Sequence, residues 1–462
     1  MSSSQILISN ATIIDGTGAA PRVNQSVLLS TEQIMAVGPT VDVDRSAPAD
    51  AVRIDATGMT VMPGLIDTHT HITLGEPQSN DELFFHRDPA YSAILAGWQA
   101  QKLLRAGVTS AFDIDGIHHI GPAMRDAIES GLVEGPRMVA GQHALLTAVG
   151  GTAGRMIPES GTAAYAEVVR TPDEMVQTVR RQIKFGADWI KIHATGRIPG
   201  RPGELQVWTL EEMKTVCDTA HDLGIPVTAH CRTARSTRDA VRAGVDLVLH
   251  ASFLGEGTGA QMMGREDPAT LRVFDEAMEA LLERRVPICP TWTFLANLSD
   301  FGHKVGASSA AMDLFRDEIT GTAARLREAY DAGITFTTGS ETGFSITPVG
   351  HWHAREMELF VKYLGMTALE AITCGTRNGA VAMKLDGRVG TLEATMLPDV
   401  LVVDGDPLAE IRILQDRARI REVISRGRRV DLNRPWPERR VLPDEKVNNY
   451  STVPLTWDLV NP

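Results

Sequence analysis

Residues 63–71 read Pro63-Gly-Leu-Ile-Asp-Thr-His-Thr-His71, a short apolar run that ends in two histidines spaced two residues apart. The run Leu65–Ile72 has the length and apolar character of a buried strand. Side chains at positions i and i+2 of a strand point to the same face, so His69 and His71 lie together. In a parallel α/β barrel that face is the interior, and the strand ends form the mouth where active sites lie.

Strand and helix patterns alternate from this stretch to about residue 385. Eight runs have the pattern of a buried strand: Leu65–Ile72, Val108–Ile114, Arg137–Gly141, Trp189–Ala194, Pro226–Cys231, Leu247–Ser252, Val286–Thr291 and Thr335–Gly339. Helical patterns separate them, and one begins at a capping box formed by Thr209 and Glu212. We therefore predict an α/β fold, a (β/α)8 TIM barrel over residues 63–385, with an open doubly wound sheet as the alternative.

Short strand patterns occupy both ends of the chain. Residues 1–62 and 386–434 carry them, separated by Gly, Pro, Asn and Asp. We expect the two segments to form one small β-sandwich domain beside the barrel. Residues 435–462 hold five prolines and few periodic apolar residues, which predicts an extended tail packed on the body or on a neighbouring subunit.

Further polar residues stand at the ends of the predicted barrel strands. They are His69, His71, Lys191, His230, His250 and Glu341. Imidazole nitrogen and carboxylate oxygen are the donors that borderline divalent metals prefer. Two such metals need a bridging ligand, and together they lower the pKa of a bound water towards ~7, which supplies hydroxide at neutral pH. A nearby carboxylate can take the proton.

The 63–71 motif, together with the later lysine, histidines and acid, resembles the amidohydrolase superfamily. Leu397-Pro-Asp-Val-Leu-Val-Val-Asp-Gly-Asp-Pro407 is similar to that family's strand returning to the small domain. The resemblance implies that His69 and His71 bind a more buried metal, and that His230 and His250 bind a more exposed one. It further implies that CO₂ carboxylates Lys191, which then bridges the two metals.

The resemblance also implies that an acid after the eighth strand binds the buried metal and acts as general base, then acid. The family usually has Asp in a Gly-Thr-Asp setting, whereas this chain has Glu341 after Gly339-Ser340, one methylene longer. Zinc is the expected ion, and iron, manganese and cobalt are the alternatives, because all four accept nitrogen and oxygen ligands.

The context of Lys191, Gly186-Ala-Asp-Trp-Ile-Lys-Ile-His-Ala-Thr-Gly196, resembles the binuclear branch that contains imidodipeptidases, ochratoxin-type amidases and herbicide amide or urea hydrolases. Peptidase members often have Tyr two residues after the lysine and His after a Gly-Gly pair. This chain has His193 and Thr152 there. The expected activity is therefore hydrolysis of a C–N bond in an amide, carbamate or urea, with an aryl amide or xenobiotic as the candidate substrate, and the alternative is an imidodipeptidase.

Two other classes fit less well. A mononuclear aminohydrolase usually has HxxE at the fifth strand, where this chain reads His230-Cys-Arg-Thr233. A non-catalytic scaffold would have lost metal ligands, and the only hint of loss is the change from Asp to Glu at position 341.

Five residues are candidates for substrate contact. His193 shares a face with Lys191 and either touches substrate or orients a ligand. Arg232, two residues after His230, either meets a substrate oxygen or faces solvent at a helix start. His143 and Thr152 lie in the Gly-rich loop after the third strand, and loops at that face commonly carry specificity. Trp292 either lines an aromatic pocket or closes the barrel mouth.

Composition excludes several partners. The 462 residues carry a formal charge of −13, which argues against nucleic acid. No apolar run approaches the ~18 residues of a membrane span, and no secretory signal precedes residue 10. Four dispersed cysteines without a CxxC pair fit a reducing, cytoplasmic compartment. We expect a small-molecule substrate and a homo-oligomer.

Overall fold

The structure is a computed structural model that describes residues 5–77, 82–151, 159–198, 203–257, 268–435 and 453–461. Its strands are β1 (Ile6–Ile13), β2 (Arg22–Leu29), β3 (Ile34–Pro39), β4 (Val52–Asp55), β5 (Met59–Pro63), β6 (Leu65–Thr70), β7 (Val108–Asp113), β8 (Arg137–Ala140), β9 (Ala144–Leu146), β10 (Ala166–Val168), β11 (Ile190–His193), β12 (Thr195–Gly196), β13 (Leu205–Gln206), β14 (Val227–His230), β15 (Leu247–Leu249), β16 (Ile288–Cys289), β17 (Val400–Asp404), β18 (Ile420–Ser425) and β19 (Arg428–Arg429).

The α-helices are α1 (Thr40–Ser46), α2 (Pro89–Arg105), α3 (Ile120–Glu129), α4 (Glu159–Tyr165), α5 (Pro172–Lys184), α6 (Leu210–His221), α7 (Ala234–Ala243), α8 (Pro268–Arg284), α9 (Trp292–Phe301), α10 (Ser309–Asp331), α11 (Arg355–Leu364), α12 (Ala368–Cys374), α13 (Arg377–Ala382) and α14 (Trp457–Val460). The capping box that opens α6 is present, with Thr209 and Glu212 each bonded to the other's backbone. Among the residues that the structure describes, no helix is both long enough and apolar enough to cross a bilayer.

Both ends of the chain contribute to one eight-stranded sheet, in the order β19-β18-β17-β5-β1-β2-β3, with β4 also paired to β1. The join is the antiparallel pair β5–β17, in which Val61 faces Val402. The sequence patterns did not predict β5 as a strand, and its burial on both faces leaves no alternation to mark it. A sandwich packing of this sheet, and the domain boundaries, stay predictions.

The central strands form two parallel sheets, β6-β7-β8 and β10-β9-β11-β14-β15-β16. Asp188 N donates to Ala140 O at 2.8 Å, which links the end of β8 to the start of β11. The eighth predicted strand, residues 335–339, is an extended segment joined to β16 by a bridge between Ile288 and Phe336. It is joined to β6 by a bond from Thr68 N to Thr338 O at 2.9 Å. The polar ends of eight consecutive segments are thereby held at one side of the sheets.

Helices cover the outside of these sheets, as the alternation predicts. Their buried faces supply Leu103, Val179, Val216, Val241 and Leu281 to one continuous hydrophobic core. All four cysteines are buried in the fold as free thiols. The helices therefore pack apolar side chains against the strands, and the polar side chains of the predicted site stand at the strand ends.

The last described segment, 453–461, packs on the body and includes the short helix α14. The Leu455 side chain is fully buried. Leu455 N donates to Ser345 O at 2.9 Å, and the Trp352 indole donates to Leu455 O at 2.7 Å. The C-terminal segment thus holds the chain that follows Glu341.

Candidate metal centre

Two histidines and a glutamate converge at the end of β6. His69 Nε2 is 2.9 Å from Glu341 Oε2 and 3.1 Å from His71 Nε2. His250, directly after β15, places Nδ1 3.9 Å from Glu341 Oε2. One ligand atom from each of His69, His250 and Glu341 lies within 4.8 Å of the others, so the three can hold one metal ion.

Local backbone structure brings Glu341 to this point. Glu341 N donates to His69 O at 2.9 Å, so the segment after residue 339 continues the pairing with β6. Gly339 lies so close to His69 that an added Cβ would stand 2.6 Å from the histidine Cβ. A side chain at position 339 would therefore push the two ligands apart.

The other half of the cluster comes from β11 and β14. The two strands are parallel, with His193 opposite His230, and the two imidazoles stack at 5.1 Å. Lys191 Nζ is 3.4 Å from Asp115 Oδ2, and His193 Nε2 is 3.1 Å from the same oxygen. All six predicted metal-centre residues thus stand at one end of the parallel sheets.

The electrostatics favour neutral imidazoles at His230 and His250 and ionised carboxylates, whereas the pKa of His71, although burial lowers it, is raised by Glu341. Burial lowers the pKa of His230 to about 4 and that of His250 well below its usual value. Burial raises the pKa of the Glu341 carboxyl, but His69 and His250 together lower it well below its usual range. Burial likewise raises the pKa of Asp115, and Lys191 outweighs it, so that the carboxyl stays ionised.

The orientation of the donor atoms also fits a divalent metal. His71 Nδ1 is 2.6 Å from the carbonyl of Ile114, which it can only donate to, so Nε2 carries the lone pair that faces the cluster. The Lys191 side chain is fully buried, and Nζ has no hydrogen-bond partner in the described chain. A buried amine in that state is costly unless another group satisfies it. The cluster therefore has ligand atoms whose lone pairs face its centre, and a buried amine whose charged neighbour is Asp115, 3.4 Å away.

A cavity of about 590 Å³ opens over His230, His250 and Glu341. Its apolar wall contains Phe294, Phe315 and Phe344, and its polar wall contains Arg197, Glu204, Arg232 and Glu318. Arg232 Nη2 contacts Glu318 Oε1, and Arg232 Nε is 3.8 Å from Glu204 Oε1. The cavity thus has an aromatic wall and a wall of charged side chains that pair with one another.

The structure separates the predicted substrate contacts. Arg232 lines the cavity, and His193 lies beside it in contact with Asp115. Trp292 is fully buried at the start of α9 and is not among the lining residues, although Phe294 is. His143 lies in another depression, beside His119. Thr152 falls outside the described residues.

Sequence reasoning missed two carboxylates. Asp115 stands two residues after the end of β7, so the strand-end rule that found the histidines could also have found it. Glu204 directly precedes the short strand β13, and no periodicity marks it. Glu204 Oε2 is 3.1 Å from His230 Nε2, and although burial raises the pKa of Glu204, His230 and Arg232 bring it to about 2.

Residues 60–430 match the model of the amidohydrolase family. Among solved structures, a Xaa-Pro dipeptidase with bound methionine is 26% identical, with a TM-score of 0.76, covering 92% of this chain and 100% of that chain. An imidazolonepropionase of Porphyromonas gingivalis is 24% identical over 400 residues, which are 82% of this chain and 82% of the relative.

Two more solved structures share the fold. A. niger ochratoxinase is 21% identical, with a TM-score of 0.78, covering 92% of this chain and 95% of its own. A molinate hydrolase is 22% identical, with a TM-score of 0.75, covering 94% and 96% of the two chains. Dipeptidase, ochratoxinase and herbicide hydrolase are the kinds of protein in the branch that the sequence resembles.

Proposed function

The chain belongs to the amidohydrolase family, and from that membership we propose that it is a metal-dependent hydrolase of a C–N bond in a small amide, carbamate or urea. The two parallel sheets and the segment 335–339 are, in this proposal, sectors of one closed (β/α)8 barrel. The bonds that join β8 to β11, β16 to residue 336 and residue 338 to β6 support that closure.

The observation that carries the proposal is the convergence of imidazoles, carboxylates and a buried amine at the ends of parallel strands. His69, His71 and Glu341 would hold one metal, and His230 and His250 would hold a second. When bound, such ions act as Lewis acids on a carbonyl and lower the pKa of water. Zinc is the proposed ion because its preferred donors are those present.

Lys191 would bridge the two ions after its amine adds to CO₂. In that step the Nζ lone pair forms an N–C bond, a proton leaves the nitrogen, and the product is a carbamate anion with two ligand oxygens. The absence of a hydrogen-bond partner for Nζ within the described residues supports this role. His193 and Asp115 stand close enough to orient the modified side chain.

Glu341 is the proposed general base and acid. Its carboxylate, ionised at neutral pH, would accept the proton of the attacking water and return it to the leaving nitrogen. Its contact with His69 and its bond through the backbone to β6 fix the carboxylate at the cavity floor. The extra methylene relative to Asp is accommodated without loss of that contact.

The cavity favours a neutral substrate with an aromatic group. Arg232 faces Glu318 and Glu204, and Arg197 Nε is 4.0 Å from Glu204 Oε1. Each cation in the described wall therefore already has a carboxylate partner, which leaves little attraction for a substrate carboxylate. Phe294, Phe315 and Phe344 offer a surface for an aryl group. Imidodipeptidase activity is the second candidate, which the 26% identical Xaa-Pro dipeptidase supports.

The test is turnover by mass spectrometry of aryl amides, phenylureas, carbamates, N-acyl amino acids and X-Pro dipeptides, with and without a chelator. We expect cleavage of the neutral aryl substrates and its loss with chelator. Lys191→Ala should lose metal and activity together, whereas Lys214→Ala, on the exposed face of α6, should keep both. Full activity in metal-free protein would refute the proposal, and preference for dipeptides would favour the second candidate.

The proposal also covers the cellular compartment and the oligomeric state. We place the protein in the cytoplasm as a homo-oligomer acting on a small molecule, without nucleic-acid or membrane partners. The four cysteines, all free and buried, support a reducing compartment.

A further inference from the structure

A second group of ligand-type side chains lies in another depression, of about 660 Å³, that contains His119, His143 and Glu167. His119 caps the start of α3, His143 lies between β8 and β9, and Glu167 is in β10. The parallel pairing of β10 with β9 places Glu167 opposite Leu145, two residues beyond His143. One ligand atom from each of the three lies within 4.8 Å of the others.

His143 is the buried member of this group. It is 3% exposed, no side chain of the described residues hydrogen-bonds to its ring nitrogens, and its hydrogen-bonding contact is with the backbone of Ala164. Burial, reinforced by His119 and His118, lowers its pKa to about 3. A buried neutral imidazole therefore presents a lone pair beside the ring of His119, whose centroid is 4.2 Å away.

Two buried glutamines hold the other two ligands in place. Gln142 Nε2 donates to Gln182 O at 2.8 Å, so Gln142 Oε1 faces His119 Nδ1, at 2.7 Å, and accepts a hydrogen bond from its N–H. The lone pair of His119 is then on Nε2. Gln182 Nε2 lies 3.1 Å from Glu167 Oε1 and 2.9 Å from His143 O. Such outer hydrogen bonds orient metal ligands in proteins.

Arg181 is the charged neighbour of this group. Its Nη2 contacts Glu167 Oε2 and balances that charge, and its side chain is half exposed. A divalent ion would compete with the guanidinium for the same oxygen. Because Arg181 stands on the solvent side of α5, it can swing away without disturbing the core.

We infer that His119, His143 and Glu167 form a site for one borderline divalent cation, of which Zn²⁺ is the best match. Two imidazole nitrogens and one carboxylate oxygen are a common zinc set, with water in the fourth position. None of the three residues lines the cavity above Glu341. The site is therefore separate from the proposed catalytic metals and does not depend on the proposed function.

The test is zinc content after equilibrium dialysis of the full chain at graded free Zn²⁺, with His119→Asn compared with wild type. Asn tolerates the positive φ of residue 119, which is 57°. The matched control is His118→Asn, since the neighbouring histidine has a φ of 51° and lies outside the group. We expect wild type and H118N to hold one equivalent more than H119N.

A third variant tests the competition. Arg181→Gln removes the guanidinium from Glu167, and the extra equivalent should then bind at about fivefold lower free Zn²⁺. Equal zinc in wild type and H119N at every concentration would overturn the inference, as would loss of the equivalent in H118N or no tightening in R181Q. Glu167→Gln, on the partly exposed β10, gives a second route if H119N does not fold, and it too should lose one equivalent.

Discussion

At the residue scale, Arg232 is a cation that enters the cavity already paired. Glu318, on α10, contacts its guanidinium directly. A substrate carboxylate must therefore displace Glu318 from Arg232. Because one carboxylate then replaces another, the exchange contributes little binding free energy. The pair, rather than the arginine alone, sets the charge that the cavity accepts.

Replacing Glu318 should shift substrate preference. In Glu318→Gln the arginine loses one carboxylate, so an anionic N-acyl amino acid should gain about five- to tenfold in kcat/KM relative to a neutral aryl amide. The ratio of the two values, measured on one enzyme preparation, checks this. Glu328→Gln, elsewhere on α10, is the control, and an unchanged ratio in E318Q would contradict the expectation.

Glu356 is a second residue whose charge state has a measurable consequence. Its carboxyl accepts from Trp292 N at 2.8 Å and from Gly339 N at 2.6 Å, and so joins the start of α9 to the end of the segment 335–339. Burial raises its pKa to about 8, from 4.5 in an exposed chain. Between these pH values the folded protein binds a proton that the unfolded chain has released.

The free energy of unfolding should therefore fall as pH rises from about 4.5 to 8, with a slope of at most about 1.4 kcal/mol per pH unit from this group. Glu356→Gln removes the titration and loses one acceptor, so it should cost about 1–3 kcal/mol at low pH and show a flatter curve. Urea unfolding of both proteins at several pH values checks the difference. Parallel curves would refute the assignment.

At the element scale, Gly343 determines how closely the segment after Glu341 approaches β6. Its φ is +124°, and an added Cβ would lie 2.8 Å from the Cβ of His71. His71 N also donates to Thr342 O at 2.8 Å. The backbone of this segment therefore packs directly against His71, one of the proposed metal ligands.

Gly343→Ala should displace His71 and weaken metal retention, with a cost of about 1–3 kcal/mol from overpacking and further strain from the positive φ. Gly224→Ala is the control, because its φ is +75° and a Cβ there meets nothing within 4 Å. Metal content after dialysis and the melting temperature are the measurements. Equal metal loss in both variants would show that contact with His71 is not the cause.

The strand ends were the most predictable part of the site. Period-two alternation and the placement of His69, Lys191, His230 and His250 at strand ends required only the sequence. Asp115 obeys the same rule but was not predicted, because histidines marked the other strand ends and its strand contains none. Glu204 could not be found this way, because a loop and not a register brings it to His230.

The eighth strand shows the limit of periodicity for elements. Residues 335–339 read Thr-Phe-Thr-Thr-Gly, a strand-type composition, yet they form an isolated bridge through Phe336 and single hydrogen bonds instead of a full ladder. The segment leaves the strand geometry at once to bring Glu341 to its φ of +55°. The position that Glu341 must reach therefore outweighs the preference of residues 335–339 for a longer strand.

At the scale of the whole molecule, the C-terminal segment 453–461 secures the region that carries Glu341. Leu455 is fully buried, and its carbonyl accepts from Trp352. Trp457 N donates to His351 Nδ1 at 3.3 Å. The packing of this segment was predicted only in outline, because a proline-rich stretch has no period from which to read its contacts.

Leu455→Ala should release this segment at a cost of about 2 kcal/mol or more, the usual loss for a buried leucine. The tail should then be cut faster by a protease, and the fluorescence of Trp352 should shift towards that of an exposed indole. Val453→Ala, at a side chain 47% exposed, is the control. Identical cleavage rates in the two variants would contradict the role of Leu455.

The pairing of β5 with β17 has a consequence for synthesis. The two strands are separated by more than 330 residues, and β17–β19 form one flank of the eight-stranded sheet. While the ribosome is still making residues 64–399, the strand β5 has an unpaired edge that can join another chain. We expect nascent chains that stop before residue 400 to aggregate or to be bound by chaperones, and solubility to rise once β18 has emerged.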